Sequence, residues 1–162
     1  MTKMNKKTVF TVILALISGL SGTAYAQSDL ISPDGTYMYE RRDTCDLFMD
    51  VYNPAKGSET TYMGMEKPTV IFMFGGGFIR GTSEDQSYNS WFRMMTENGY
   101  RVISSDYRLG LRGTDKVGIA QVNVLDDAIH MAVEDLFSAT NFILDNADQL
   151  GVTPDNLVIS GS

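Results

Sequence analysis

Three apolar runs punctuate the chain: PTVIFMF from Pro68 to Phe74, YRVISSDY from Tyr100 to Tyr107, and NLVIS from Asn156 to Ser160. A strand with one wet face alternates apolar and polar residues, whereas a strand covered on both faces reads as a continuous run. Each segment therefore predicts a buried strand of a parallel sheet. Between the first two lies SEDQSYNSWFRMMTENG, which predicts a helix opened by Ser83 or Glu84, striped by Trp91, Met94 and Met95, and closed at Gly99. Between the second and third, Leu125, Ile129, Ala132, Leu136, Thr140, Ile143 and Ala147 recur at three- and four-residue spacing. They predict a long helix from about Val122 to Leu150, ended by Gly151 and Pro154.

Upstream, MYERRDTCDLFMDVYNP is rich in aromatic and β-branched residues and predicts one or two strands ending at Asn53-Pro54. AKGSETTYMGMEK and RLGLRGTDKVGIAQ are polar or glycine-bearing and predict loops. The order of elements is strand, helix, strand, helix, strand, preceded by a strand or hairpin. Right-handed crossovers then predict an α/β fold whose mostly parallel central sheet is flanked by helices.

The chain has 162 residues. Its start changes the picture of where that domain begins. Lysines at 3, 6 and 7 precede an apolar segment from Val9 to about Leu20 and then Ala24-Tyr25-Ala26, the layout of a secretory signal peptide cut after Ala26. The apolar core is shorter than the roughly 20 residues of a bilayer span. The expectation is thus a signal peptide over 1–26, export to the periplasm or beyond the cell, no stable membrane span, and one domain over 27–162. Cleavage removes three of the 13 basic residues and none of the 20 acidic ones. So acidic a chain is a poor match for nucleic acid, whose phosphates are bound by Lys and Arg. The single cysteine, Cys45, has no partner for an internal disulfide and, within a strand-like run, is expected to be a packed thiol.

Glycine carries the candidate chemistry. FMFGGGFIRGT places Gly75, Gly76 and Gly77 directly after a strand. A phosphate-binding loop of the form GxxxxGK[ST] would run from Gly76 to Gly81, but Thr82 stands where the lysine is required. A dinucleotide fingerprint GxGxxG starting at Gly75 would need glycine where Arg80 stands. The remaining use is an oxyanion hole, in which backbone N–H groups meet the developing negative charge of a tetrahedral intermediate. Glycine suits it because the missing Cβ opens the approach and allows unusual backbone angles. A tight turn without catalysis fits the same residues.

Together and in this order, VIFMFGGGF, VISSDYRLG and PDNLVISGS resemble the carboxylesterase and lipase branch of the α/β-hydrolase superfamily over roughly residues 46–162. There a glycine-rich oxyanion loop, a strand ending in DYRL and a GxSxG nucleophile elbow follow one another. The resemblance implies an incomplete α/β-hydrolase fold, cut at the elbow, and a full-length protein that is a serine carboxylic-ester hydrolase. Gly76 and Gly77 match the oxyanion-hole donors, Gly75 and Phe78 flank them on the substrate side, and Gly161 and Ser162 match the first two elbow positions. The nucleophile is then expected directly after Ser162, so these 162 residues alone are expected to be inactive. Ser162 as the nucleophile, with Ser160 two before it, is the less favoured register. Phe74 stands where many relatives have histidine. The resemblance implies a small-molecule ester as substrate and neither metal nor organic cofactor; it leaves oligomeric state open. Two alternatives stand beside it: a secreted peptidase of the prolyl-oligopeptidase type and a non-catalytic binding module on the same fold.

His130, the one histidine, precedes the elbow and lies mid-helix between Asp126 and Glu134, which predicts pairing on a solvated face. Asp126, Asp127, Glu134 and Asp135 are likewise expected on a solvated helix face and not as metal ligands. Asp106, Tyr107 and Arg108 follow a strand and are expected to form a structural corner, for which the resemblance implies buried or half-buried hydrogen bonds; Trp91 is expected to be core. Ending at the elbow is expected to leave NLVIS as an apolar sheet edge.

Overall fold

Five strands pair in the order β1-β2-β6-β5-β7. In the computed structural model, which describes residues 30–113 and 121–162, they are β1 (Gly35–Arg41), β2 (Asp46–Tyr52), β5 (Thr69–Met73), β6 (Arg101–Ser105) and β7 (Leu157–Gly161). The expected signal peptide falls outside the described residues. Ile31–Ser162 make up one compact unit. Only β2 runs against the others: it pairs antiparallel with β1 and β6, while β5 pairs parallel with both β6 and β7. The sheet is therefore mixed and mostly parallel.

Helices α1 (Asn89–Glu97), α2 (Gln121–Asp145) and the short α3 (Ala147–Leu150) complete the layers. Side chains alternate across a strand, so β2, β5 and β6 each feed two cores. Met49, Val51, Ile71 and Ile103 pack with Ala139, Ile143, Ala147 and Leu150 of α2 and α3. Tyr52, Phe72 and Val102 pack with Phe92 of α1. The continuous apolar runs of β5 and β6 follow from this double coverage.

Several expectations shift in detail. The helix placed from Ser83 begins with a 3-10 turn at Gln86–Tyr88, where the Asp85 carboxylate accepts from the Ser87 N–H at 2.9 Å. Its buried residues are Asn89, Phe92 and Thr96, with Trp91 and Met95 partly covered and Met94 about half exposed. The long helix breaks at Asn146, and Gly151 caps α3 in the left-handed conformation at φ 63°. Its buried stripe is Ala128, Ala132, Asp135, Ala139 and Ile143, while Leu125 and Ile129 are exposed. The apolar side of α2 is wider than the face the sheet covers, so periodicity alone chose a rotated stripe. The expected loop over 55–67 holds a small hairpin, β3 (Thr61–Tyr62) with β4 (Met65–Glu66), turned by Met63 and Gly64 at φ 52° and 80°. The loop expected over 108–121 is described only in part.

Two residue assignments are corrected. Cys45 is exposed, not packed. It sits in the tight connection between β1 and β2, where the Arg42 N–H donates to the Cys45 carbonyl at 2.9 Å. Asp135 is fully buried, not solvated. It occupies the covered stripe of α2 because two arginines meet it there. The Arg108 N–H donates to its Oδ2 at 2.8 Å, Arg108 Nε lies 2.9 and 3.0 Å from its two oxygens, and Arg42 Nη2 donates at 3.2 Å. These contacts hold the Arg108 guanidinium above its ordinary pKa. β7 lies at the edge with Val158 and Ile159 exposed. No helix among the described residues is long and apolar enough to cross a membrane.

Candidate functional site

The glycine loop leaves the C-terminal end of β5, and β7 ends beside it because the two strands are hydrogen-bonded neighbours with Met73 opposite Gly161. The Ser162 N–H donates to the Met73 carbonyl at 3.3 Å. Gly75 lies against Ser162 so closely that a Cβ on it would stand 2.8 Å from the Ser162 carbonyl oxygen and 3.3 Å from its Oγ. The expected loop residues and the expected elbow residues, 86 positions apart in the chain between Gly75 and Gly161, thus meet at one end of the sheet.

Within the loop, Gly76 and Gly77 adopt φ 147° and 63°, and a Cβ on Gly76 would collide with the Arg80 carbonyl oxygen. Nothing lies within 4 Å of where a Cβ of Gly77 would be. The Gly75 N–H is spent on the Tyr88 hydroxyl at 3.0 Å. Among the described residues nothing accepts from the N–H groups of Gly76, Gly77 or Phe78. A backbone with consecutive unpaired donors is a concavity for an anionic oxygen. Phe78 is itself left-handed at φ 62°, a conformation that costs a non-glycine residue about 1–3 kcal/mol. It is held there by its carbonyl, which accepts from the Leu111 N–H at 3.0 Å, and by its ring, edge-on to Tyr107 at 6.0 Å. The Phe78 ring is therefore turned partly into the core.

Both ends of the loop are pinned. Phe74 is buried and stacked on Tyr107 at 4.5 Å, and the Tyr107 hydroxyl donates to the Phe74 carbonyl at 2.9 Å. At the other end Gly81 fits under the Phe74 ring, which a Cβ would strike. Asp106 accepts from the backbone N–H groups of Ser83 at 2.8 Å and Phe48 at 3.4 Å, and burial holds its carboxyl above the usual range. The Asp106-Tyr107-Arg108 corner is thus hydrogen-bonded throughout. Tyr88 had no distinguishing mark in the sequence, since a tyrosine in a polar helical run reports nothing about its hydroxyl partner.

A cleft of about 380 Å³ adjoins the loop, lined by Phe74, Gly81, Thr82 and Asp106 among others, but by neither Gly76, Gly77 nor Ser162. His130 stands apart on α2, well exposed, its Nδ1 donating to the Asp126 carbonyl at 2.8 Å and lying 3.5 Å from the Asp126 carboxylate. Those contacts raise its pKa, the backbone hydrogen bond more than the charge. Among the described residues no cluster of His, Cys, Asp or Glu is placed to hold a metal.

A mixed sheet with one reversed strand, a glycine loop after β5 and a strand ending in Gly-Ser beside it define an α/β-hydrolase related to carboxylesterases. The chain belongs to the BD-FAE family, whose family model matches residues 49–162. It is similar to esterase 2 of the Planctomycetes species Thermogutta terrifontis. With the butyrate-bound form it shares 26% identity at a TM-score of 0.56, covering 79% of this chain and 40% of that one. With the apo form the figures are 25%, 0.57, 79% and 41%. It is also 31% identical over 106 residues to the non-reducing polyketide synthase ausA of Emericella nidulans, covering 65% of this chain and 4% of that protein. The chain thus spans about two fifths of the length of the esterases it resembles.

Proposed function

We propose that residues 27–162 form the N-terminal part of the α/β-hydrolase domain of an exported serine carboxylic-ester hydrolase, and that Gly76 and Gly77 form its oxyanion hole. The reading rests chiefly on one observation: two unpaired backbone N–H groups stand in a loop that packs directly against Ser162. A serine at the next position would sit at the sharp turn after β7. Its Oγ attacks the ester carbonyl while a histidine takes its proton, and the carbonyl oxygen becomes an oxyanion that accepts from Gly76 and Gly77. Collapse of that intermediate expels the alcohol, and water then releases the acid from the acyl-enzyme. Removing one such donor costs about 10²–10³ in kcat. The open space at Gly77 admits the carbonyl, and the Tyr88 hydroxyl keeps the Gly75 N–H out of the set. Small esters are the proposed substrates, with no metal or organic cofactor. The butyrate-bound and paraoxon-phosphorylated forms of the Thermogutta esterase favour a short acyl group and a covalent mechanism.

The test compares this chain with one extended past Ser162 in its reading frame, using p-nitrophenyl acetate with and without paraoxon. Saturable turnover by the extended chain, abolished by paraoxon and by alanine at position 163, is expected, with the 162 residues alone at background. A residue other than serine at 163, or paraoxon-insensitive turnover, overturns the proposal.

A further inference from the structure

Ser83 stands at the exit of the glycine loop, and every polar group it has is taken by a different part of the sheet. Its N–H donates to Asp106 Oδ1 at 2.8 Å, its hydroxyl to Asp50 Oδ2 at 2.9 Å, and its carbonyl accepts from the Ser104 hydroxyl at 3.0 Å. Asp50 comes from β2, Ser104 from β6 and Asp106 from the residue after β6. Ser83 is almost wholly covered, and Asp50 and Ser104 are fully buried. The second oxygen of Asp50 accepts from the Thr36 hydroxyl at 2.6 Å, and that of Asp106 from the Phe48 N–H at 3.4 Å.

No basic side chain makes a hydrogen bond or ion pair with either carboxylate among the described residues. One fully buried carboxylate, Asp50, and one half-buried, Asp106, supported only by neutral donors are an expensive way to fill this end of the sheet, since each is withdrawn from water, wholly or in part, without a compensating charge. Apolar side chains of similar size would pack the same space at lower cost. What the carboxylates add is direction, because a hydrogen bond fixes the position of Ser83 where apolar contact would let it slide. Ser83 is only two residues beyond Gly81, and between Gly75 and Gly81 the loop is short and rich in glycine, so its shape is set by where its ends are held.

We propose that Asp50 and Asp106 are positioning residues for the glycine loop, acting together through Ser83 to hold the Gly76 and Gly77 N–H groups in the orientation the site uses. The assignment rests on the esterase reading above, but its test does not. Peptide-level and residue-level amide exchange are followed in the 162-residue chain carrying Ile159→Lys, an exposed edge substitution away from the loop, and in Ser83→Ala, Ser83→Thr and Thr36→Ala versions of it. Ser83→Ala removes the hydroxyl bond to Asp50. It is expected to speed exchange between Gly75 and Thr82 about tenfold, the scale of one lost hydrogen bond to a charged group. Exchange in β5 and β6 at Ile71 and Ile103 stays unchanged. Ser83→Thr keeps the hydroxyl and restores the slow rate, and Thr36→Ala, which frees only the other Asp50 oxygen, leaves the loop as it was.

Unchanged loop exchange in Ser83→Ala overturns the proposal, as does acceleration that appears equally at Ile71 and Ile103. A slowly exchanging loop in an extended chain that hydrolyses no ester would sink the esterase reading while leaving the clamp intact. Hydrolysis with a loop indifferent to Ser83 would sink the clamp alone.

Discussion

Asp135→Ala is the sharpest perturbation the fold offers. In the parent chain this fully buried carboxylate takes the Arg108 N–H at 2.8 Å, the Arg108 guanidinium at 2.9–3.0 Å and the Arg42 Nη2 at 3.2 Å. Arg108 and Arg42 are only 20% and 28% exposed, so neither can reach water fully once the carboxylate has gone. The side chain of Arg108 retains Glu134 at 2.8 Å and the Met131 carbonyl at 3.3 Å, which moderates the loss but leaves its backbone N–H without an acceptor. Breaking one member of a buried pair costs about 3–5 kcal/mol. That is a large fraction of the roughly 5–15 kcal/mol that holds a domain folded. At the usual unfolding entropy per residue, a domain of this size should lose roughly 10 °C or more in Tm. Urea unfolding followed by the fluorescence of Trp91, the one tryptophan, which lies 5.0 Å from the Phe72 ring, reads the change directly. The control is Asp127→Ala, exposed on the same helix, expected within about 0.5 kcal/mol of the parent. A cost for Asp135→Ala below about 1 kcal/mol would refute the burial argument.

Three further outcomes are expected. Gly76→Ala should destabilise the chain by more than about 1 kcal/mol, because its Cβ meets the Arg80 carbonyl at a φ that alanine avoids; a Tm equal to the parent's would contradict the loop geometry. His130 should titrate above 6.5 by NMR. Protonation is thus favoured in the folded state, and its contribution is fully present below pH 6.5 and lost as pH rises through the folded value; a pKa at or below 6.5 would be inconsistent with the Asp126 contacts. Ile159→Lys together with Phe137→Glu should reduce self-association measured by sedimentation, since β7 is a sheet edge among the described residues and both residues are more than half exposed; Met63→Lys, at the turn of the β3-β4 hairpin and off that edge, should not.

Much of this architecture was legible in the chain. The runs at 68–74, 100–107 and 156–160 hold strands, and the glycine cluster after the first of them turns with positive φ at Gly76 and Gly77. The Asp106-Tyr107-Arg108 corner is hydrogen-bonded as the family resemblance implied. Asp135 was misread because a charged residue in a row of acids looks solvated, although its spacing from Ala132 and Ala139 placed it on the covered stripe. Cys45 was misread because a strand-like composition extends across a turn.

Local pattern determined which segments form strands, which form helices, and where glycine interrupts them, because those properties depend on residues within a turn or two of one another. Tertiary structure alone decided the rest. It inserted β2 between β1 and β6 in the reverse sense, and turned α2 so that Asp135 meets Arg42 and Arg108. It also closed β2, β6 and the residue after β6 on Ser83 and brought Gly75 against Ser162. Periodicity reports that a face is buried without naming what covers it, and pairing between distant strands is settled only when backbone donors and acceptors find one another across the whole sheet.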